Sequence, residues 1–205
     1  PEGGLGAIGE DAEGTALWTA GSLAAPVAWT RHPLPEGGRV AGSEQGLYVS
    51  APEWRDEDGE GSGAIYFLPW ADLDGPLDEP TAVHPDGERG FGTALVVDGE
   101  GLLVGSGDGG LFAVDAAGGS RLIERVEGEV ATLARSGTSW FAGAPSAARV
   151  ASKDGSIGGA AGSDFGASVA VFGTSLLVGA PGEGRVYVFP LPGGGTVDGD
   201  GTGSG

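Results

Sequence analysis

Phe165-Gly166-Ala167-Ser168-Val169-Ala170-Val171-Phe172-Gly173-Thr174-Ser175-Leu176-Leu177-Val178-Gly179-Ala180-Pro181 reads as two short apolar runs joined at Phe172-Gly173-Thr174-Ser175. A Gly-containing turn between two such runs is the pattern of a β-hairpin. The stretch recurs upstream. Residues 129–145 match it without a gap, so that Gly137-Thr138-Ser139 falls on Gly173-Thr174-Ser175 and Phe141-Ala142-Gly143-Ala144-Pro145 on residues 177–181. A third copy runs from Phe91-Gly92 through Asp98-Gly99-Glu100-Gly101 to Leu102-Leu103-Val104-Gly105-Ser106. A fourth joins Arg39-Val40-Ala41 to Leu47-Tyr48-Val49-Ser50-Ala51-Pro52, and a degenerate fifth joins Leu5-Gly6-Ala7-Ile8 to Ala16-Leu17-Trp18-Thr19-Ala20-Gly21.

A third apolar run follows in every copy: Val27-Ala28-Trp29, residues 64–68, residues 111–114, Ala148-Arg149-Val150-Ala151 and Val186-Tyr187-Val188-Phe189. A weaker fourth is visible at residues 121–126 and 81–84. Runs such as Leu102-Leu103-Val104 are apolar without alternation, which predicts strands covered on both faces. Four short antiparallel strands per unit, repeated at Gly21, Ala51, Ser106, Ala144 and Ala180, predict an all-β chain, a β-propeller of about five four-stranded blades. The units lie near 1–35, 36–88, 89–126, 127–162 and 163–191, together a propeller of residues 1–191, with 192–205 a Gly-rich flexible tail or linker. The extra length of the second unit comes from acidic insertions at 53–63 and 69–78.

Phe165-Gly166, then Gly179-Ala180-Pro181, then Val186-Tyr187-Val188-Phe189 resemble the FG-GAP repeat of integrin α-subunit propellers and bacterial surface proteins. The resemblance implies a propeller, extracellular or on the surface of a bacterial cell, used for adhesion or as a scaffold. It usually implies seven blades, where five units are counted. The aspartate-rich calcium loop that the family often carries between its first two strands is missing: Gly99-Glu100, Gly137-Thr138 and Gly173-Thr174 offer too few carboxylates to surround calcium.

Composition narrows the function. Glycine takes 44 of 205 residues, a density that disfavours helix interiors. The glycines keep no third-residue period, which excludes collagen. Acidic residues outnumber basic ones 29 to 10, for a net charge of −19, so the field repels nucleic acid and anionic membranes. There is no Cys, and hence no disulfide, thiolate metal site or cysteine nucleophile. Asn is absent, so no N-glycosylation sequon occurs, and no apolar run is long enough to span a membrane. The chain starts at Pro1 without an initiator Met, which reads as a processed product or an excised piece.

Few residues invite chemistry. His32 and His84 each precede Pro, which predicts extended loops rather than a positioned base. No nucleophile elbow, paired metal-spaced His or P-loop occurs. Ser152-Lys153-Asp154-Gly155-Ser156 resembles the Asp-box of sialidase propellers, but its glycine falls one place early and the closing aromatic is absent. The expectation is a non-catalytic interaction or adhesion module for a protein or glycan. The alternatives are a propeller enzyme acting on polysaccharide and a structural subunit of a surface assembly. Trp54 and Trp70 fall in the acidic insertions and are the candidate ligand-binding aromatics, whereas Trp18 and Trp140 fall on the repeat and predict packing between blades. Asp56, Asp58 and Glu60 alternate around Gly59 as a weak candidate calcium loop, with no cofactor otherwise implied. The last unit runs out of strands at Val186, Tyr187, Val188 and Phe189, whose free edge predicts a strand-pairing partner or self-association.

Overall fold

In the computed structural model, residues 5–11, 14–20, 30–33, 38–55, 63–72, 82–83, 89–99, 101–115 and 117–191 are described. Ser136 pairs with Ser139 and Phe172 with Ser175 across two-residue turns whose first residue is Gly137 or Gly173, both at φ +56°. A positive φ at that position suits the twist of the flanking strands, so the apolar runs on either side fold onto one another.

Repetition of this hairpin gives five small antiparallel sheets. The first holds β1 (Leu5–Asp11), β2 (Gly14–Ala20) and β3 (Thr30–Pro33). The second holds β4 (Val40–Gly42), β5 (Gly46–Ala51), β6 (Ala64–Pro69) and β7 (Ala82–Val83). The third holds β8 (Ala94–Asp98), β9 (Gly101–Gly105), β10 (Gly110–Val114) and β11 (Ser120–Arg125). The fourth holds β12 (Thr132–Ser136), β13 (Ser139–Ala144), β14 (Arg149–Ser152) and β15 (Gly155–Gly158). The fifth holds β16 (Ser168–Phe172), β17 (Ser175–Ala180) and β18 (Arg185–Pro190). Each is a meander, with neighbours in space that are neighbours in sequence. Among the described residues helix is confined to three short 3-10 turns. The first strands of successive sheets, β1, β4, β8, β12 and β16, lie against one another.

The core is the set of seams between sheets. Leu17 of the first sheet meets Leu47, Val49, Tyr66 and Leu68 of the second. Tyr48 and Ile65 of the second meet Phe91, Leu102, Val104 and Phe112 at the third. Leu103 and Leu111 of the third meet Val130, Trp140 and Ala142 at the fourth, and Phe141 and Val150 of the fourth meet Phe165, Leu176 and Val178 at the fifth. Alternation along the second strand explains why the sequence runs are continuously apolar: Leu102 and Val104 face the preceding sheet and Leu103 the following one. Burying each large side chain this way stabilises the fold by roughly 1.5–3 kcal/mol.

Phe91 and Phe165 work as knobs. Each is buried directly ahead of its sheet's first strand and meets the third strand edge-on, Phe91 against Phe112 with ring centroids 5.5 Å apart and Phe165 against Tyr187, also at 5.5 Å. The glycine after each knob has positive φ, +102° at Gly92 and +93° at Gly166. Its N–H donates to the second strand of its own sheet, to Gly105 O at 2.9 Å and Gly179 O at 3.0 Å. A Cβ at Gly166 would lie 2.5 Å from Arg149 O of the preceding sheet, so glycine permits both the turn and the approach. In the fourth sheet Val130-Ala131 fills the same place, with the Ala131 N–H donating to Gly143 O.

Two readings are corrected. The third strand of the first sheet is described at Thr30–Pro33, and the run Val27-Ala28-Trp29 lies outside the described residues. His32 is therefore not on a loop: it is buried on β3 opposite Leu17, because the strand ends at, rather than before, the proline. In the first unit Leu17, not Trp18, faces the second sheet, a one-residue slip that turns the half-buried Trp18 to the other face. Ser152-Lys153-Asp154-Gly155 is the turn between β14 and β15. There Ser152 Oγ donates to Gly155 O at 3.2 Å, and Ser152 pairs with Gly155.

Candidate functional site

The second and third strands of most units are joined at the Ala-Pro pair. After Ala144 and Ala180 the chain makes a 3-10 turn, Pro145–Ala147 and Pro181–Glu183, closed by Ala148 or Gly184 in the left-handed conformation. The second sheet begins the same way at Ala51-Pro52, and the Trp54 N–H donates to Ala51 O at 3.0 Å. It then departs from the pattern through its insertion and returns at Gly63, whose N–H donates to Trp54 O at 3.1 Å. Trp54 is thus held at the neck of the insertion, its ring half-buried against the seam between the first two sheets.

Beside it is a cleft of about 350 Å³ lined by Pro52, Glu53, Trp54, Arg55, Arg89 and Gly90, with Thr93, Gly107, Asp108 and Glu129 completing the wall. Its floor is fixed by the clip between the approach to β8 and the β9–β10 turn. The Arg89 N–H donates to Asp108 Oδ2 at 2.8 Å, and the Gly107 N–H to Arg89 O at 2.9 Å. Thr93 Oγ1 donates to Val130 O at 2.8 Å, tying the approach to β8 to the approach to the fourth sheet. An aromatic wall among cations and anions of both signs suits a polar or zwitterionic ligand that also offers an apolar face. Among the described residues the lining brings no histidine and no hydroxyl paired with a base, since the Thr93 hydroxyl is spent on a backbone carbonyl. A larger hollow of about 730 Å³ lies at the opposite end of the third sheet, between Asp98 and Arg121, with Leu102, Val114 and Asp115 among small residues in its lining.

The two candidate tryptophans are not brought together. β5 and β6 pair antiparallel from Gly46 opposite Pro69 to Ala51 opposite Ala64. Trp54 follows one end of that hairpin and Trp70 the other, so they are separated by the strand length, roughly 17 Å at about 3.4 Å per residue. The Trp70 indole N–H donates to Ser43 O at 2.9 Å and its backbone N–H to Gln45 O at 3.1 Å, so this ring braces the β4–β5 turn. Asp56, Asp58 and Glu60 lie outside the described residues. Among the described residues no group of three His, Asp or Glu is placed to hold a metal ion. Arg89, Asp108 and Glu129 were not legible as site residues, because the second, third and fourth units each contribute to the cleft.

Val186, Tyr187, Val188 and Phe189 form the body of β18, which pairs with β17 and stands at the edge of its sheet among the described residues. Tyr187 and Phe189 turn inward to Phe165, while Val186 and Val188 face out. No helix among the described residues is long and apolar enough to cross a membrane.

No protein-family model matches the sequence, and no curated protein matches it. Solved structures do. A chain of the nidogen/laminin complex aligns with TM-score 0.59 at 14% identity, over 86% of this chain and 68% of that one. The computationally designed Ika4 protein aligns with TM-score 0.53 at 17% identity, over 77% of this chain and 95% of that one. BBS1N, in complex with ARL6DN, aligns with TM-score 0.53 at 13% identity, over 92% of this chain and 64% of that one. The fold is propeller-like. At such identities the likeness extends to the fold alone.

Proposed function

We propose that the chain is a non-catalytic interaction module, a β-propeller of about five FG-GAP-like blades on a bacterial surface or secreted, which binds a protein or glycan at the Trp54 cleft. The observation that carries this is the cleft itself: one aromatic wall and five charged side chains on a floor fixed by hydrogen bonds. Rigid, half-exposed Trp beside Arg is the composition of binding hot spots. The insertion carrying Asp56, Asp58 and Glu60 leaves the chain directly after Arg55, at the rim of the cleft. Protein partners also feature in two similar structures, the nidogen/laminin complex and BBS1N with ARL6DN.

Glycan and protein arrays probed with the full chain test the reading. For a ligand so found, Trp54→Ala and Arg89→Ala each weaken binding at least tenfold, and Trp70→Phe leaves it unchanged. Binding that survives both cleft substitutions, or turnover of an acidic polysaccharide by the chain, overturns it.

A further inference from the structure

Among the described residues four large apolar side chains are exposed, and three of them, Phe172, Val186 and Val188, share one face of the fifth sheet. The register makes that face continuous: Ala170, Leu177 and Val188 lie in one row across the strands, and Ser168, Gly179 and Val186 in another. In the second, third and fourth sheets the corresponding face is a seam. Val186 is opposite Gly179 as Ile65 is opposite Ser50, Leu111 opposite Gly105 and Val150 opposite Gly143. Those three are 0–1% exposed beneath the following sheet, whereas Val186 is 65% exposed.

A second feature, independent of hydrophobicity, points the same way. A Cβ at Gly105 would lie 2.5 Å from Val130 Cγ1, and one at Gly143 would lie 2.2 Å from Gly166 O. In both sheets the glycine is the dent into which the next unit's knob segment presses. The fifth sheet keeps this dent at Gly179, yet a Cβ there would meet only Ser168 of its own sheet. Face and dent are both built, and no described residue fills them.

We propose that this face docks a further antiparallel sheet of the same repeat type, one that carries an apolar knob and a small residue directly ahead of its first strand. The knob seats on Leu177 and Val186, as Phe91 seats on Tyr48 and Ile65, and as Phe165 seats on Phe141 and Val150. The seam is thus a continuation of one that the molecule already builds repeatedly. The first sheet of a second copy fits less well: glycine stands three residues ahead of Gly6, where Phe91 stands three ahead of Ala94, and two chains of charge −19 repel. This surface is separate from the Trp54 cleft and does not depend on it.

The fifth unit is itself a sheet known to fit such a face, which supplies the probe. The chain has no cysteine, so Val188→Cys introduces a single reporter thiol at an exposed position. Maleimide labelling is compared between the full chain carrying this substitution and the same chain extended after Gly205 by a second copy of residues 163–191. Labelling is expected to slow at least tenfold in the extended chain, and to recover when serine replaces the knob phenylalanine of the added copy. Three results overturn the proposal: equal labelling of extended and unextended chains, slow labelling of the unextended monomer, and slowing of the unextended chain with concentration as it dimerises. The last would assign the face to a second copy.

Discussion

Phe165→Ala tests the idea that the seams, rather than the sheets, hold this molecule together. Phe165 is 2% exposed and packs among Phe141, Val150, Leu176 and Val178, so its loss empties the seam between the fourth and fifth sheets. Removing a buried Phe costs about 3–5 kcal/mol in transfer and cavity terms. The ring also makes edge-on contacts with Tyr187 at 5.5 Å and Phe189 at 6.2 Å, of the kind that adds about 0.5–1.5 kcal/mol beyond burial, which puts the expectation in the upper half of the range. Phe172 is the internal control. It belongs to the same unit and is 81% exposed, so Phe172→Ala should change stability by no more than about 0.5 kcal/mol. Urea denaturation followed by circular dichroism measures both. The expected result is a fall in midpoint for Phe165→Ala with little change for Phe172→Ala. Comparable losses at the two sites, or a loss below about 1 kcal/mol at Phe165, would refute the view that the residue ahead of the first strand is a structural knob.

Gly166→Ala should cost more than Gly137→Ala by at least about 2 kcal/mol in the same assay. Both have positive φ, but only Gly166 has a preceding sheet in the way of a Cβ, while Gly137 faces open space. Ser106→Ala should destabilise by about 1–3 kcal/mol, because the buried hydroxyl accepts the Gly110 N–H at 2.8 Å and its loss strands that donor. Burial pushes the Tyr48 and Tyr66 hydroxyls above the ordinary value of 10.0, so folding favours the neutral phenols. Their contribution is complete below about pH 10 and is lost as pH rises through the raised values. Thermal melts should show stability falling in that alkaline window, with a shallower fall in Tyr66→Phe.

The hairpins were legible because Gly137-Thr138 and Gly173-Thr174 sit at fixed distances from flanking apolar runs, and turn chemistry and strand period agree there. β15 was hidden for the opposite reason: Gly155-Ser156-Ile157-Gly158 has one large apolar side chain, and tertiary pairing with β14 overrides its weak propensity. The slip at Trp18 arose because Leu17-Trp18 offers two apolar neighbours, and a strand's facing is set by which of them meets another sheet. Trp54 was found from its place in an insertion, but the rest of the cleft was not. Arg89 is joined to the β9–β10 turn through its backbone N–H and C=O, which a side-chain pattern does not record.

The knob at the head of the third, fourth and fifth sheets also decides where one unit stops and the next begins. Phe165 is covalently part of the run leading into β16, yet it fills a hollow formed partly by β13 and β14. A gene duplication cut from first strand to fourth strand would separate each knob from the sheet that it introduces. One cut from just ahead of Phe91 to just ahead of Val130 would carry a knob, a face and a dent together, ready to be joined at either side. Loop length is free under such a scheme, since the insertion between Arg55 and Gly63 leaves and rejoins at one turn and displaces neither neighbour of the second sheet. Lineages that share this architecture should therefore vary in the number of units and in the length of their insertions while keeping the spacing from the knob to the dent constant.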